Sequence, residues 1–260
     1  MKTRPAAVAG LFYEKDPSRL RAHIDLLMGG VSDEEHPLPR GLIVPHAGYV
    51  YSGATAALAY ARLRPLRGRI RRVALFGPAH RVYLRGMAVP GVEAFSTPLG
   101  DIPLDRAAIE TLGGMPHVSV SDEAHQEEHS LEVQLPFLQT VLEKFTLVPV
   151  VVGQSDPEWV APVMETLWND QETLLVVSTD LSHFHTYEQA QRLDTLTCER
   201  LLARESALAG EEACGAHALN GLMRTQWGQV LDMELVGMCN SGDTAGDRNR
   251  VVGYGAFSLH

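Results

Sequence analysis

Three short apolar runs along the chain share one pattern, in which an unbroken hydrophobic stretch stops abruptly and a histidine or carboxylate follows within a few residues. Leu42-Ile-Val44 ends at Pro45 and leads to His46; Val73-Ala-Leu-Phe76 ends at Gly77-Pro78 and leads to His80. Leu174-Leu-Val-Val-Ser178 leads to Thr179-Asp180-Leu-Ser-His183. Runs without polar alternation suit strands covered on both faces, and proline cannot extend a ladder as a donor. If the three strands are parallel in one sheet, His46, His80 and the Asp180/His183 pair emerge at the same edge. That edge is where open α/β sheets bind ligands.

Helical periodicity fills much of the remainder. Ser52 is placed to cap a helix through Ala54 to Leu63, after the turn glycines Gly48 and Gly53. Asp16-Pro17 starts a helix whose stripe is Leu20, Ile24, Leu27 and Met28, ending at Gly29-Gly30. Residues 31–40 read as an acidic, proline-containing loop. Gly86 to Val89 reads as a strand, Phe95 to Asp105 as a long ordered loop, and Asp105 as the cap of a helix reaching Leu112. Leu131, Leu135, Leu138 and Leu142 mark a helix that Pro136 should kink, with His129 in its first turn. A strand over Leu147 to Val152 precedes helices starting at Asp156-Pro157, near Glu188 and near Gly215. Glu234 to Gly237 and Val251 to Phe257 close the chain as strands. Strands alternating with helices predict an α/β fold: one domain over residues 1–260, with a mostly parallel or mixed central sheet and helices on both faces.

Composition narrows the function. The chain has 260 residues, 45% of them hydrophobic, enough for a sizeable core. A formal charge of -10, from 32 acidic against 22 basic residues, offers no footprint for nucleic acid or an anionic membrane surface. The arginines from Arg62 to Arg72 read as a solvated linker. No apolar stretch approaches the roughly 18 residues of a membrane span and the N-terminus lacks a signal-peptide core, so a cytoplasmic protein is expected. Cys198, Cys214 and Cys239 show no CxxC spacing. Each reads as a buried small hydrophobe, and only Cys239 sits in a polar, glycine-rich stretch suited to reactivity or metal binding.

Two imidazoles and one oxygen or sulfur donor can make a mononuclear site with open positions, suited to iron or copper redox chemistry, or to hydrolysis with zinc. His46 and His80 supply the imidazoles; Cys239, Asp243, Asp180 and His183 are the candidates for a third donor. Asp180 with His183 also reads as a carboxylate-oriented general base, and His129 as an acid, base or substrate donor. A single histidine after a strand is more often a loop fastener than a ligand. Three strand ends carrying such groups favour a shared site. There is no GxSxG elbow, GxxxxGK[ST] loop, GxGxxG or HExxH helix.

Val44-Pro-His46-Ala-Gly-Tyr-Val-Tyr-Ser-Gly53, Gly77-Pro-Ala-His80, Glu128-His129-Ser-Leu-Glu132 with Leu135-Pro136, Ser178-Thr-Asp180-Leu-Ser-His183, and Gly242-Asp-Thr-Ala-Gly-Asp247 with Val252-Gly-Tyr254 occur in that order. Together they resemble the Memo family, whose prokaryotic members are called AmmeMemoRadiSam system protein B. The resemblance implies a fold similar to class III extradiol dioxygenases, which are non-haem iron enzymes, and a pocket containing His46, His80 and His183. It implies metal binding and redox activity through histidines and a cysteine of the C-terminal loop. The resulting expectation is a metal held by His46, His80 and Cys239, iron or copper before zinc, with His183, Asp180 and His129 catalytic. The family label implies radical-SAM and AMMECR-type partner proteins. A non-catalytic module that binds a small molecule or peptide is the other class of function compatible with these residues.

Overall fold

The computed structural model describes residues 2–31 and 36–260, so residues 32–35 of the expected acidic loop lie outside the described residues. A nine-stranded mixed sheet forms the centre. Its strands, in chain order, are β1 (Gly41–Val44), β2 (Arg72–Pro78), β3 (Met87–Val89), β4 (Val118–Val120), β5 (Thr146–Val152), β6 (Thr173–Ser178), β7 (His183–His185), β8 (Met233–Asn240) and β9 (Val251–Leu259). Strands β1, β6, β2 and β5 lie side by side and parallel. β9 is antiparallel to β1 and also carries β7 and β8, while β3 runs antiparallel to β5 and pairs with β4 at the far edge.

Register turns that topology into a site. Val44 is opposite Ser178, Phe76 opposite Val177 and Pro78 opposite Val152, so the parallel strands end nearly level. Consecutive residues Val73, Ala74, Leu75 and Phe76 all have zero exposure. Side chains alternate between faces along a strand, so both faces of the sheet are covered, as the unbroken apolar runs predict. Helices Pro17–Gly29, Ala54–Ala61 and Leu135–Val141 pack against one another in one group; Pro157–Leu167 and Ala216–Leu222 form another. Asp16 and Asp105 cap their helices as expected, accepting from Arg19 N and Ala108 N.

Several elements differ from the expectation. Phe95 to Asp105 is no loop: Ala94–Thr97 and Gly100–Pro103 form a hairpin, its turn made possible by Gly100 at φ +116°. Pro136 kinks nothing, because the α-helix starts at Leu135 and proline in a first turn costs no hydrogen bond. Ser52 caps no helix; its hydroxyl donates to Ala47 O inside a π-helical turn over Tyr49–Gly53. The helix expected to start near Gly215 stops at Leu222, and a second covers Gln226–Val230. Arg62 is not solvated: its side chain is largely buried and paired with Glu234.

The N-terminal residues are tied to the middle of the chain. Thr3–Arg4 pairs in parallel with Ala94 and Phe95, which places the Arg4 guanidinium in the interior. There it donates to Glu132 Oε2 at 2.6 Å and to the carbonyls of His125 and Glu128, both at 2.7 Å. Glu132, with no exposure, also accepts from Ala7 N, Val8 N and the Tyr13 hydroxyl. The pair thereby holds residues 125–132 against the sheet. Removing one member of a buried ion pair leaves an uncompensated charge. Arg4→Met is therefore expected to lower unfolding free energy by about 3–5 kcal/mol in urea titrations, whereas a surface pair would give at most about 1.

Candidate functional site

β1, β2 and β6 end where their sequences switch from apolar to polar. Pro45 stops β1, placing His46 just beyond the sheet edge; Pro78 stops β2 two residues before His80; β6 stops at Ser178, ahead of Thr179-Asp180. Gly77 permits the approach of a fourth segment, since a Cβ there would come within 2.8 Å of Leu131 and 2.9 Å of Ser130 Oγ. That segment brings His129. The ligand nitrogens of His46, His80 and His129 all lie within 4.8 Å of one another. The rings of His80 and His129 stack at 4.7 Å, and His46 meets both edge-on at 5.2 and 5.5 Å.

The neighbours decide which nitrogens are free. Ser178 Oγ donates its single proton to Ser130 O at 2.6 Å, so it can only accept from Gln134 Nε2 at 2.9 Å and from His46 Nδ1 at 2.8 Å. His46 therefore carries its proton on Nδ1 and keeps a lone pair on Nε2. Glu128 does the same for His80: its carboxylate accepts from His80 N at 2.6 Å, His80 Nδ1 at 2.9 Å and Ser130 N at 2.9 Å. Burial would raise the Glu128 pKa, but the hydrogen bond and charge of His80 outweigh it and hold the group at about 2. His183 Nδ1 donates to Leu181 O at 2.8 Å, which leaves its Nε2 free. His129 Nδ1 is buried without a hydrogen-bond partner, with Glu128 Oε1 3.6 Å away.

His46, His129 and His183 are neutral. Burial, and then the neighbouring His80, pushes the pKa of His46 well below its ordinary value. Burial brings His129 to about 4 and lowers His183 as well. An imidazole whose Nδ1 is tied to a neighbouring oxygen while Nε2 is left free, as in His46 and His80, is the usual form of a histidine metal ligand, and the unpartnered Nδ1 of His129 is a further free donor. The donor set thus fits a metal ion. Asp180 accepts from His46 N at 2.8 Å and lies 3.9 Å from His46 Nε2; burial raises its pKa to about 7.

His183 is on β7, in the turn that joins β6 to the helix Tyr187–Leu202. Its position is set by Asp194, whose carboxylate accepts from Ser182 N at 2.9 Å and packs on Gly253, where a Cβ would meet it at 1.9 Å. Cys239 is placed differently from the expectation. It is in β8, paired with Tyr254 of β9, and its Sγ contacts Thr55 Oγ1 at 3.0 Å. It does not join the three-histidine group, which is the metal-capable group found among the described residues. Glu128, Ser178 and Cys214 were not singled out as site groups from sequence. A carboxylate directly before His129 was the one local signal available for Glu128; Ser178 and Cys214 reach the site through contacts more than 130 residues apart in sequence.

A level row of parallel strand ends that gathers three histidines defines an α/β protein with a metal-capable pocket. The chain belongs to the Memo family: the model of the Memo-like protein family matches residues 4–258. It is similar to a MEMO1 family protein of Aquifex aeolicus, 34% identical with 98% of each chain covered. One of Methanopyrus kandleri is equally similar, at 34% identity and 98% coverage of each. The solved structure of uncharacterized protein JW3007 from Escherichia coli K12 shares the fold, with a TM-score of 0.54 at 12% identity over 85% of this chain and 100% of that one. No helix of the described residues is long and apolar enough to cross a membrane.

The neutral histidines predict acid sensitivity. His46, His125 and His129 are held uncharged by burial, the last two at about 4, but titrate near 6.5 once unfolded. Below that pH the unfolded chain binds more protons, so their contribution is complete above about 6.5 and is lost as pH falls toward 4, by up to about 1.4 kcal/mol per pH unit for each. Asp180 and Asp194, whose carboxyls burial raises, act in the opposite sense, two groups against the four histidines His46, His125, His129 and His183. Urea unfolding at about pH 7.5 and about pH 5.5 is expected to show lower stability at the acid value. An unchanged free energy would contradict neutral histidines.

Proposed function

We propose that the chain is a metal-dependent oxidoreductase acting on a small molecule, with His46, His80 and His129 holding one iron or copper ion and Asp180 and His183 handling protons. The observation that carries this reading is the convergence of three imidazoles whose ligand nitrogens lie within 4.8 Å of one another. An ion held by three protein donors keeps positions open for substrate, and iron or copper there supplies electron transfer and oxygen activation.

The protein groups divide the remaining work. Glu128 and Ser178 orient the rings of His80 and His46 and fix the tautomers that leave Nε2 available. Asp180, at about 7, exists in both protonation states near neutrality, the condition for an efficient proton-transfer group. His183 presents a free Nε2 and is neutral, so it can accept a proton from a bound hydroxyl. His46 is itself buried, so its side of the site is closed to water.

Elemental analysis of untagged protein purified anaerobically tests the reading, with a His46→Ala/His80→Ala double variant alongside. About one equivalent of iron or copper in the parent and none in the variant is expected. If neither binds metal after reconstitution, the oxidoreductase reading fails and the pocket is better explained as a binding site for a small molecule or peptide. Two further variants separate roles. Glu128→Gln is expected to weaken metal binding by roughly 10–100-fold, measured by competition with a chelator. His183→Ala should keep its metal while oxygen consumption with a simple reductant falls by roughly 100-fold; loss of the metal instead would make His183 a ligand.

A further inference from the structure

We infer that Phe184 and Arg250 form an anchor beside the histidine site that selects a small organic carboxylate with an apolar body as the substrate. The inference rests on the proposed role of His183 in proton handling and adds the class of molecule that this residue meets. Phe184 lies between His183 and His185 of β7, and the ladder to β9 slips there: His183 is opposite Val252 while His185 is opposite Val251. Phe184 is therefore the extra residue of a β-bulge, a device that re-aims a side chain beside a site. Its φ of +65° is a left-handed conformation that glycine adopts freely and an aromatic residue resists. Strain of this kind gathers at ligand clamps and active sites.

Burial does not explain a phenylalanine at this position. Phe184 is 60% exposed, with its ring edge-on to that of His183 at 5.6 Å. Arg250, the residue before β9, lies over the same ring, its guanidinium carbon 4.3 Å from the centroid. Arg62, Arg72 and Arg200 are paired with carboxylates, and Arg248 donates to Gly242 O. The Arg250 side chain has neither kind of partner among the described residues. A chain of formal charge -10 thus keeps an uncommitted cation close to a proton-handling histidine. The guanidinium fork matches the two oxygens of one carboxylate, and its charge matches the single negative charge. Between this fork and His183 lies the ring of Phe184, so a molecule held at both ends rests on an apolar surface. Val50 and Tyr51, in the turn after His46, are exposed too and add apolar area at the same strand-end edge.

Benzoate and its uncharged counterpart benzamide serve as probes, titrated by ligand-observed NMR. The protein is used as purified and again after a chelator has removed any metal, because a metal ion binds carboxylates on its own. With metal removed, the parent should bind benzoate at least about tenfold more tightly than benzamide, the step from a neutral to a charge-assisted hydrogen bond. Inorganic phosphate should not displace it. Arg250→Met should bind the two probes equally, and Arg250→Lys should restore part of the preference. Phe184→Gly should weaken both probes at least about threefold, the loss of an aromatic contact. Its melting temperature should stay at or above the parent's, since glycine relieves the left-handed backbone. Equal binding of the two probes by the parent, binding of neither, or a preference that survives in Arg250→Met overturns the inference. So does displacement of benzoate by phosphate, unchanged probe binding in Phe184→Gly, or a lower melting temperature there, which would make the ring a packing residue. Each of these outcomes leaves the metal reading standing, and a protein without metal still shows or lacks the charge preference.

Discussion

The hydroxyl proton of Ser178 constrains the whole pocket. Because that proton is committed to the carbonyl of Ser130, the oxygen must receive a proton from His46 and another from Gln134, and the imidazole is left with its lone pair on the far nitrogen. Gln134 is fixed in turn, accepting from Tyr60 and donating to Pro45 O, so the amide cannot reverse and release the serine. Glu128 imposes the same order on His80 through three accepted hydrogen bonds. Both anchors are almost wholly buried, where an unpaired donor or acceptor is costly. Ring orientation is thus determined by the interior, and the exposed loops around the mouth have little part in it.

The fold was legible because its central strands are buried on both faces and therefore spell unbroken apolar runs. Where strands are short or partly exposed the signal fades. The hairpin at Ala94–Thr97 and Gly100–Pro103 carries glycine and two prolines, so its composition is that of a loop even though its backbone pairs. Leu131 to Leu142 shows helical spacing throughout, yet a 3-10 turn over Glu132–Gln134 precedes the α-helix and keeps His129 outside it. That turn buries Glu132 and Gln134, both of which the network needs.

The site was legible to the extent that chemistry followed a strand end. His46, His80, Asp180 and His183 announce themselves by position, whereas His129 arrives on a segment whose placement depends on Arg4 and Glu132. A polar, glycine-rich context drew attention to Cys239, but β8 carries it into ladder pairing with β9. Cys214 has an apolar context and would pass for core; only the approach allowed by Gly215 brings it beside His46. Local sequence can state which donors exist. Which of them meet is decided by contacts of high sequence separation.

The span of those contacts also sets an order of events. Arg4 reaches across 121 to 128 residues to fasten the segment that carries His129, and Asp194 fixes the His183 turn only once Gly253 has been laid against it. Such pairings pay their loop-closure entropy late and form slowly. The histidines are therefore scattered on a nascent chain and gather once Glu132 has met Arg4 and β6 has entered the sheet between β1 and β2. A partly made chain presents isolated histidines, poor traps for a stray cation, and the pocket becomes competent only when separate strand ends are brought level.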